Sequence, residues 1–226
     1  VNMQRIGGIA ALTCAGTYIF GFVLLVTLLA GSGYGTDVID AATVVRFTAE
    51  NQTILITFNT VIYIVNSLAL ALLVVALASR LKSKSPDWGS IALAFGLIWA
   101  TLVLGAGMIA NVATERVAAL ASTDLEAAVQ TWETLYAVEL GLGGGNEIAG
   151  GVWILSVSIA GLLLRTFGKI VIGLGLLTGL GGLLTILPPL GEVPGAVFGL
   201  GAIAWFIAVG LALLFKRDSA AVHAPA

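Results

Sequence analysis

Long apolar runs alternate with short polar segments along this chain. At 1.5 Å per residue, about 20 apolar residues in a helix cross a ~30 Å hydrocarbon layer. Runs that meet or approach that length fall at 6–29, 52–78, 89–112, 146–164, 170–187 and 194–215. The pattern predicts an all-α fold, an integral membrane bundle of six transmembrane helices forming a single domain over 1–226. The first run is too long and too uniformly apolar for a signal-peptide core of roughly 7–15 residues. Residues 31–51 read as a polar loop carrying Asp37, Asp40, Arg46, Glu50 and Asn51. A short basic loop with a stop at Pro86 follows the second run, and Pro188 and Pro189 end the fifth by removing backbone donors.

The stretch before the fourth run has a different rhythm. Leu125, Val129, Trp132 and Tyr136 recur at i, i+4, i+7 and i+11, with Asp124, Gln130 and Glu133 off that stripe. This predicts an amphipathic helix over 124–140. Thr123 and Glu126 read as its capping box, each satisfying the other's backbone donor. The helix either lies on the membrane surface or forms the protruding first half of a long fourth helix. Trp132 and Tyr136 suit the headgroup layer in both cases. The glycine run from Gly141 to Gly145 is where a bend or unwound turn is expected.

Composition sharpens the class. Hydrophobic residues make up 59% and charged residues 10%, against roughly 25% charged in globular proteins. Mean hydropathy is +1.07. A soluble enzyme, a nucleic-acid binder and a disordered chain are thereby excluded. The partner implied is the lipid membrane, with a larger membrane complex or a homo-oligomer left open. Six crossings place Arg5, Arg80, Lys82, Lys84, Arg165, Lys169, Lys216 and Arg217 on one side, eight of the ten basic residues. Arg46 and Arg116 fall on the other side, with most of the acids. Short loops rich in Lys and Arg stay cytoplasmic. The expected location is the inner cell membrane, with N- and C-termini cytoplasmic.

Polar groups within the runs are the functional leads, because each needs a partner or water. Gln52, Asn59, Tyr63 and Asn66 are spaced by seven, four and three, which puts them on one α-helical face. Asn111 and Glu115 are i and i+4, and Glu139, Gly143, Asn146 and Gly150 share a face with Glu147 beside it. One reading is an outward-facing cavity lined by Asn59, Tyr63, Asn66, Asn111, Glu139, Asn146 and Glu147, binding a cation or a small polar molecule. The other is that the asparagines are interhelical glue. The small-xxx-small pairs Gly175/Gly179 and Gly195/Gly199 point to tight helix packing.

Other chemistries lack their residues. The single cysteine, Cys14, cannot form an internal disulfide, and the single histidine, His223, lies near the C-terminus. With only Met3 and Met108 besides, haem held by in-chain bis-His ligation is excluded. Retinal needs a lysine deep in a helix, and every lysine lies at a loop or terminus. No cofactor or metal is expected. Ser156 and Ser158 have no histidine in the runs to activate them, and no HExxH, GxSxG or P-loop occurs.

The segments GGGNEIAGGVWILSVSIAGLLLR (143–165), GLGLLTGLGGLLTILPPLG (173–191) and AVFGLGAIAWFIAVGLALL (196–214), with the opening QRIGGIAAL (4–12), carry a resemblance. The chain resembles domain of unknown function four-three-eight-six, a bacterial and archaeal family of multi-pass membrane proteins of similar length. The resemblance implies a compact helical membrane domain and brings no catalytic residue with it. Three function classes follow. The first is a non-enzymatic ligand- or lipid-binding protein or accessory subunit. The second is a small transporter or channel using Glu139 and Glu147, disfavoured by the lack of a repeat between 1–113 and 114–226. The third is a membrane enzyme.

Overall fold

A computed structural model of the chain describes residues 2–29, 31, 40–144, 147–190 and 192–215. Those residues are mostly helical, with no strand among them. Helix α1 (Met3–Leu24) runs on into a π-helical turn at Leu25–Leu29. Next come α2 (Ala41–Glu50) and α3 (Gln52–Asn59), and a π-helical stretch at Thr60–Val65 joins α3 to α4 (Asn66–Lys82). Helix α5 is Pro86–Ala121 and α6 is Leu125–Glu139, which passes through a π turn at Leu140–Gly144. Helices α7 (Ile148–Leu163), α8 (Lys169–Leu184) and α9 (Val193–Phe215) complete the order. Five stretches are long and apolar enough to cross a membrane: Met3–Leu29, Gln52–Lys82, Pro86–Ala121, Leu125–Leu163 and Val193–Phe215. The expected fifth run, 170–187, forms a shorter apolar helix of 16 residues. It stops at Leu184, ahead of a short 3₁₀ turn at Pro188–Leu190, where prolines cannot continue an α ladder.

Helix α5 sets the long axis. Ser85 caps it by accepting from the Trp88 amide at 3.5 Å, and Pro86 and Asp87 occupy its first turn. Its 36 residues give about 54 Å of rise, well beyond a ~30 Å apolar layer. Helix α6 folds back along the excess length, where Val117, Ala128, Trp132, Val44 and Val45 form a small core separate from the main one. The segment where an amphipathic helix over 124–140 was expected is helical, as α6. The cap differs from the expected box. Asp124 accepts from the Ala127 amide at 3.0 Å, while the Thr123 hydroxyl turns back to the Leu120 carbonyl and closes α5.

The expected loop at 31–51 also needs correction, because 41–50 is α2. Asp40 caps it, accepting from the Ala42 amide at 3.2 Å. The Thr43 hydroxyl, then the amides of Ala42 and Thr43 and the Arg46 charge, hold the exposed Asp40 carboxyl below the usual carboxylate range. This cap is therefore complete above the ordinary range and weakens as pH falls through the lowered value.

The main core is aromatic and bridges three helices. Trp99, Trp153, Trp205, Phe198 and Phe206 come from α5, α7 and α9, and all are buried. Trp99 stacks on Phe206 at 6.2 Å between centroids, and Trp153 meets Trp205 edge-on at 5.5 Å. The Trp153 indole donates to the Ala92 carbonyl at 2.9 Å. Large aliphatics instead cover the outside, Val26 being 68% exposed and Ile170 75%. Small residues take the helix contacts. A Cβ on Gly151 of α7 would lie 2.8 Å from the Leu183 nitrogen and 2.9 Å from the Gly179 carbonyl oxygen of α8. Gly175 is likewise closed off, by Ser158 and Trp205, whereas Gly195 faces open space and Gly199 faces Phe22.

At one end of the bundle four segments meet. Arg80, near the end of α4, donates to Gln4 Oε1 of α1 at 3.1 Å and to the Thr166 carbonyl of the α7–α8 turn at 3.2 Å. Leu211 and Phe215, at the end of α9, line the same pocket as Arg80. The α7–α8 turn is a Schellman closure, with the Thr166 amide bonded to Gly161 O and Arg165 at φ 53°.

The α7–α8 contact predicts a sharp contrast between glycines. Gly151→Val should destabilise the purified protein by about 1–3 kcal/mol or more, through a backbone clash that cannot relax. Gly173→Ala, with nothing within 4 Å of the new methyl, should leave stability unchanged or raise it. Thermal unfolding in detergent separates the two.

Candidate functional site

The π-helical stretch at Thr60–Val65 decides how the polar residues of 52–82 are used. A π turn carries one residue more than an α turn and rotates all that follows by about 100°. Asn59, Tyr63 and Asn66 therefore do not form the single stripe that α-helical spacing implies. Asn59 faces α5 and donates to Thr114 Oγ1 at 3.4 Å. The Tyr63 hydroxyl donates to Glu139 Oε1 of α6 at 2.8 Å. Asn66, 1% exposed, faces α1 and donates to Thr17 Oγ1 at 2.6 Å and to the Cys14 carbonyl at 3.5 Å. Asn111 donates to Thr60 Oγ1 at 3.2 Å, and its own side-chain oxygen is buried without a partner among the described residues. Glu115 points outward and is exposed. Asn146 lies outside the described residues.

The expected single cavity is consequently two. One is a small void of about 20 Å³ between α3, α5 and α6, bordered by Asn59, Thr114, Trp132, Tyr136 and Glu139. The other is larger, about 200 Å³, and lies between α1, the π stretch, α5 and the α6–α7 break. Phe22, Leu25, Phe58, Ile62 and Val103 supply its apolar wall. Thr17, Tyr18, Tyr63, Asn66 and Glu147 supply its polar atoms. Asn111 borders neither.

Glu147 is positioned by its backbone. Gly143, at φ 125°, turns the chain in a way a side chain would resist, and α7 restarts at Ile148. The Glu147 amide donates to Thr185 Oγ1 of α8 at 3.1 Å, and its carbonyl accepts from the Gly151 amide at 2.7 Å. A Cβ on Gly182 would sit 2.8 Å from that same carbonyl, so α8 holds the restart from the other side. Glu147 lines the cavity together with Tyr18. It has no cationic partner among the described residues.

The arrangement divides the candidates by chemistry. The amides of Asn59, Asn66 and Asn111 spend donors on threonines of neighbouring helices, as interhelical ties do. Glu139 is held by Tyr63. Glu147 lines the larger cavity. Among the described residues no group of three or more His, Cys, Asp or Glu is placed to hold a metal ion. Thr17 and Tyr18 of α1 and Thr185 of α8 were not singled out from the sequence. Their signal was a hydroxyl inside an otherwise apolar run.

No family model matches the chain, and no curated protein and no solved structure is significantly similar to it.

If Asn66 is a tie between α1 and α4, a double-mutant cycle with Thr17→Ala and Asn66→Ala should give a coupling of about 0.6–2 kcal/mol in detergent unfolding. The longer Asn59–Thr114 contact should couple more weakly. Additive effects at Thr17 and Asn66 would remove the tie.

Proposed function

We propose that the chain is a multi-pass membrane protein with six crossings that binds a small amphiphilic ligand in the Glu147 cavity without transforming it. The carrying observation is Glu147, which lines a mostly apolar space of about 200 Å³ and has no protein cation beside it among the described residues. A half-buried carboxylate in such a setting is costly unless something donates to it. At ~30 Å³ per water-sized group, the space suits a molecule of roughly seven heavy atoms. The matching ligand is apolar with one cationic or hydrogen-bond-donating head. Tyr18 and Tyr63 line the same cavity.

The membrane setting draws support from the five long apolar helices and from the large aliphatics on the outer surface. Six crossings also bring the chain start, the α4 end, the α7–α8 turn and the α9 end to one side, as the gathering around Arg80 requires. On this reading that side is cytoplasmic and the membrane is the inner cell membrane. An accessory role in a larger complex is compatible with the same site.

A second reading has its own observation. Between the carboxylates Glu139 and Glu147 lies the π turn Leu140–Gly144, and broken helices serve ion sites in transporters. Proton or cation movement through Glu139 and Glu147 would use that break.

Two measurements check these statements. In a Cys14→Ala background, Ser83→Cys should be labelled by an impermeant reagent only from inside, and Ser122→Cys only from outside; both positions are exposed. Labelling from the same side would end the six-crossing topology. For the cavity, the probes are short alkylamines and the matching alcohols. The wild type should bind the amine at least about tenfold more tightly, which is ~1.4 kcal/mol. Glu147→Gln should remove that preference and keep alcohol binding. Equal affinity of wild type for amine and alcohol would refute the carboxylate's role. Proton flux in liposomes unchanged by Glu139→Gln and Glu147→Gln would remove the second reading.

A further inference from the structure

A third pocket, of about 520 Å³, opens at the opposite end from the α5–α6 protrusion. It is built where the α4 end, the α7–α8 turn and the α9 end converge. Three features of it point to an anion. The first is Arg80, half-buried and lying over the Phe167 ring at 5.4 Å. Its guanidinium donates to Gln4 Oε1 and to the Thr166 carbonyl, both neutral, and among the described residues no carboxylate pairs with it. A partly buried guanidinium with neutral partners keeps its full charge and has donors to spare.

The second feature is Thr166. It lines the pocket, is 9% exposed, and its hydroxyl has no hydrogen-bond partner among the described residues. Buried hydroxyls are normally satisfied, so this one marks the place of a missing acceptor or donor. The third is the start of α8. Gly168 caps it without a side-chain bond, leaving first-turn amides open beside Lys169 on the pocket wall.

The remaining wall is apolar and outward-facing. Ile170 is 75% exposed, Leu211 45% and Phe215 77%. A free phosphate would use the basic corner and leave this wall bare. An acidic phospholipid would use both, its phosphate at Arg80 and Thr166 and its acyl chains along the α8–α9 flank. We infer that this pocket is a binding site for the phosphate of an acidic membrane phospholipid, held by Arg80, the Thr166 hydroxyl and Lys169. The inference rests on the membrane part of the proposed function and is independent of the Glu147 cavity.

The test is native mass spectrometry of the full chain in detergent. It is titrated with phosphatidylglycerol, with phosphatidylcholine of the same acyl chains, and with glycerol 3-phosphate. Phosphatidylglycerol should be retained over phosphatidylcholine by at least about fivefold, the worth of one basic residue at a membrane surface. Arg80→Gln should abolish that preference. Lys169→Gln, at an exposed position, should reduce it about two- to threefold and keeps the test valid if the arginine variant fails to fold. Glu147→Gln should leave it unchanged. Equal retention of the two lipids would overturn the inference, as would a preference that neither basic substitution alters. Glycerol 3-phosphate binding as tightly as phosphatidylglycerol would assign the corner to a free anion instead. Failure of the membrane reading itself would appear in the sided labelling, which this titration does not use.

Discussion

The backbones of α7 and α8 touch, and much of the molecule depends on that contact. Gly151, Gly179 and Gly182 remove the side chains that would hold the helices apart, so carbonyl and amide groups of one helix lie against those of the other. Without a hydrophobic force between helices in lipid, such close approach is a main source of cohesion. The contact also fixes the level at which α7 begins. Glu147 precedes the first turn of α7, with its amide on Thr185 and its carbonyl wedged beside Gly182. From that position Glu147 lines the larger cavity.

Two helices that pack on α5 depart from α geometry beside that cavity. The π stretch at Thr60–Val65 turns Asn66 toward α1 and Tyr63 toward α6. The π turn at Leu140–Gly144, with Gly143 at positive φ, lifts the chain away before α7 restarts. Irregular helix geometry of this kind frequently accompanies functional sites. Here amides tie helices together and Tyr63 secures Glu139.

The sequence made the helical class and the ends of the bundle legible, because both follow from long-range averages. Apolar run length gave the helices, and the distribution of Lys and Arg grouped segments that the structure brings together around Arg80. The glycine run at 141–145 marked the region of the break for a local reason, since only glycine accepts the φ found at Gly143. What the sequence hid was register. A π turn has no simple residue signature, so a stripe drawn at 3.6 residues per turn put Asn59, Tyr63 and Asn66 on one face. Helix α2 escaped because its charged residues, Arg46 and Glu50, mask a short apolar side made by Val44, Val45 and Thr48. The displaced cap of α6 has a similar origin: Thr123 was needed by the helix before it.

The account turns on whether the space in front of Glu147 is meant to be filled. An experimental density map of the protein in lipid nanodiscs, at a resolution that shows ordered small molecules, examines that space directly. The account predicts density bounded by Phe22, Ile62 and Val103, with one polar end within hydrogen-bond distance of the Glu147 carboxylate. Side chains collapsed into the space, with Glu147 bonded to a protein donor, would contradict it.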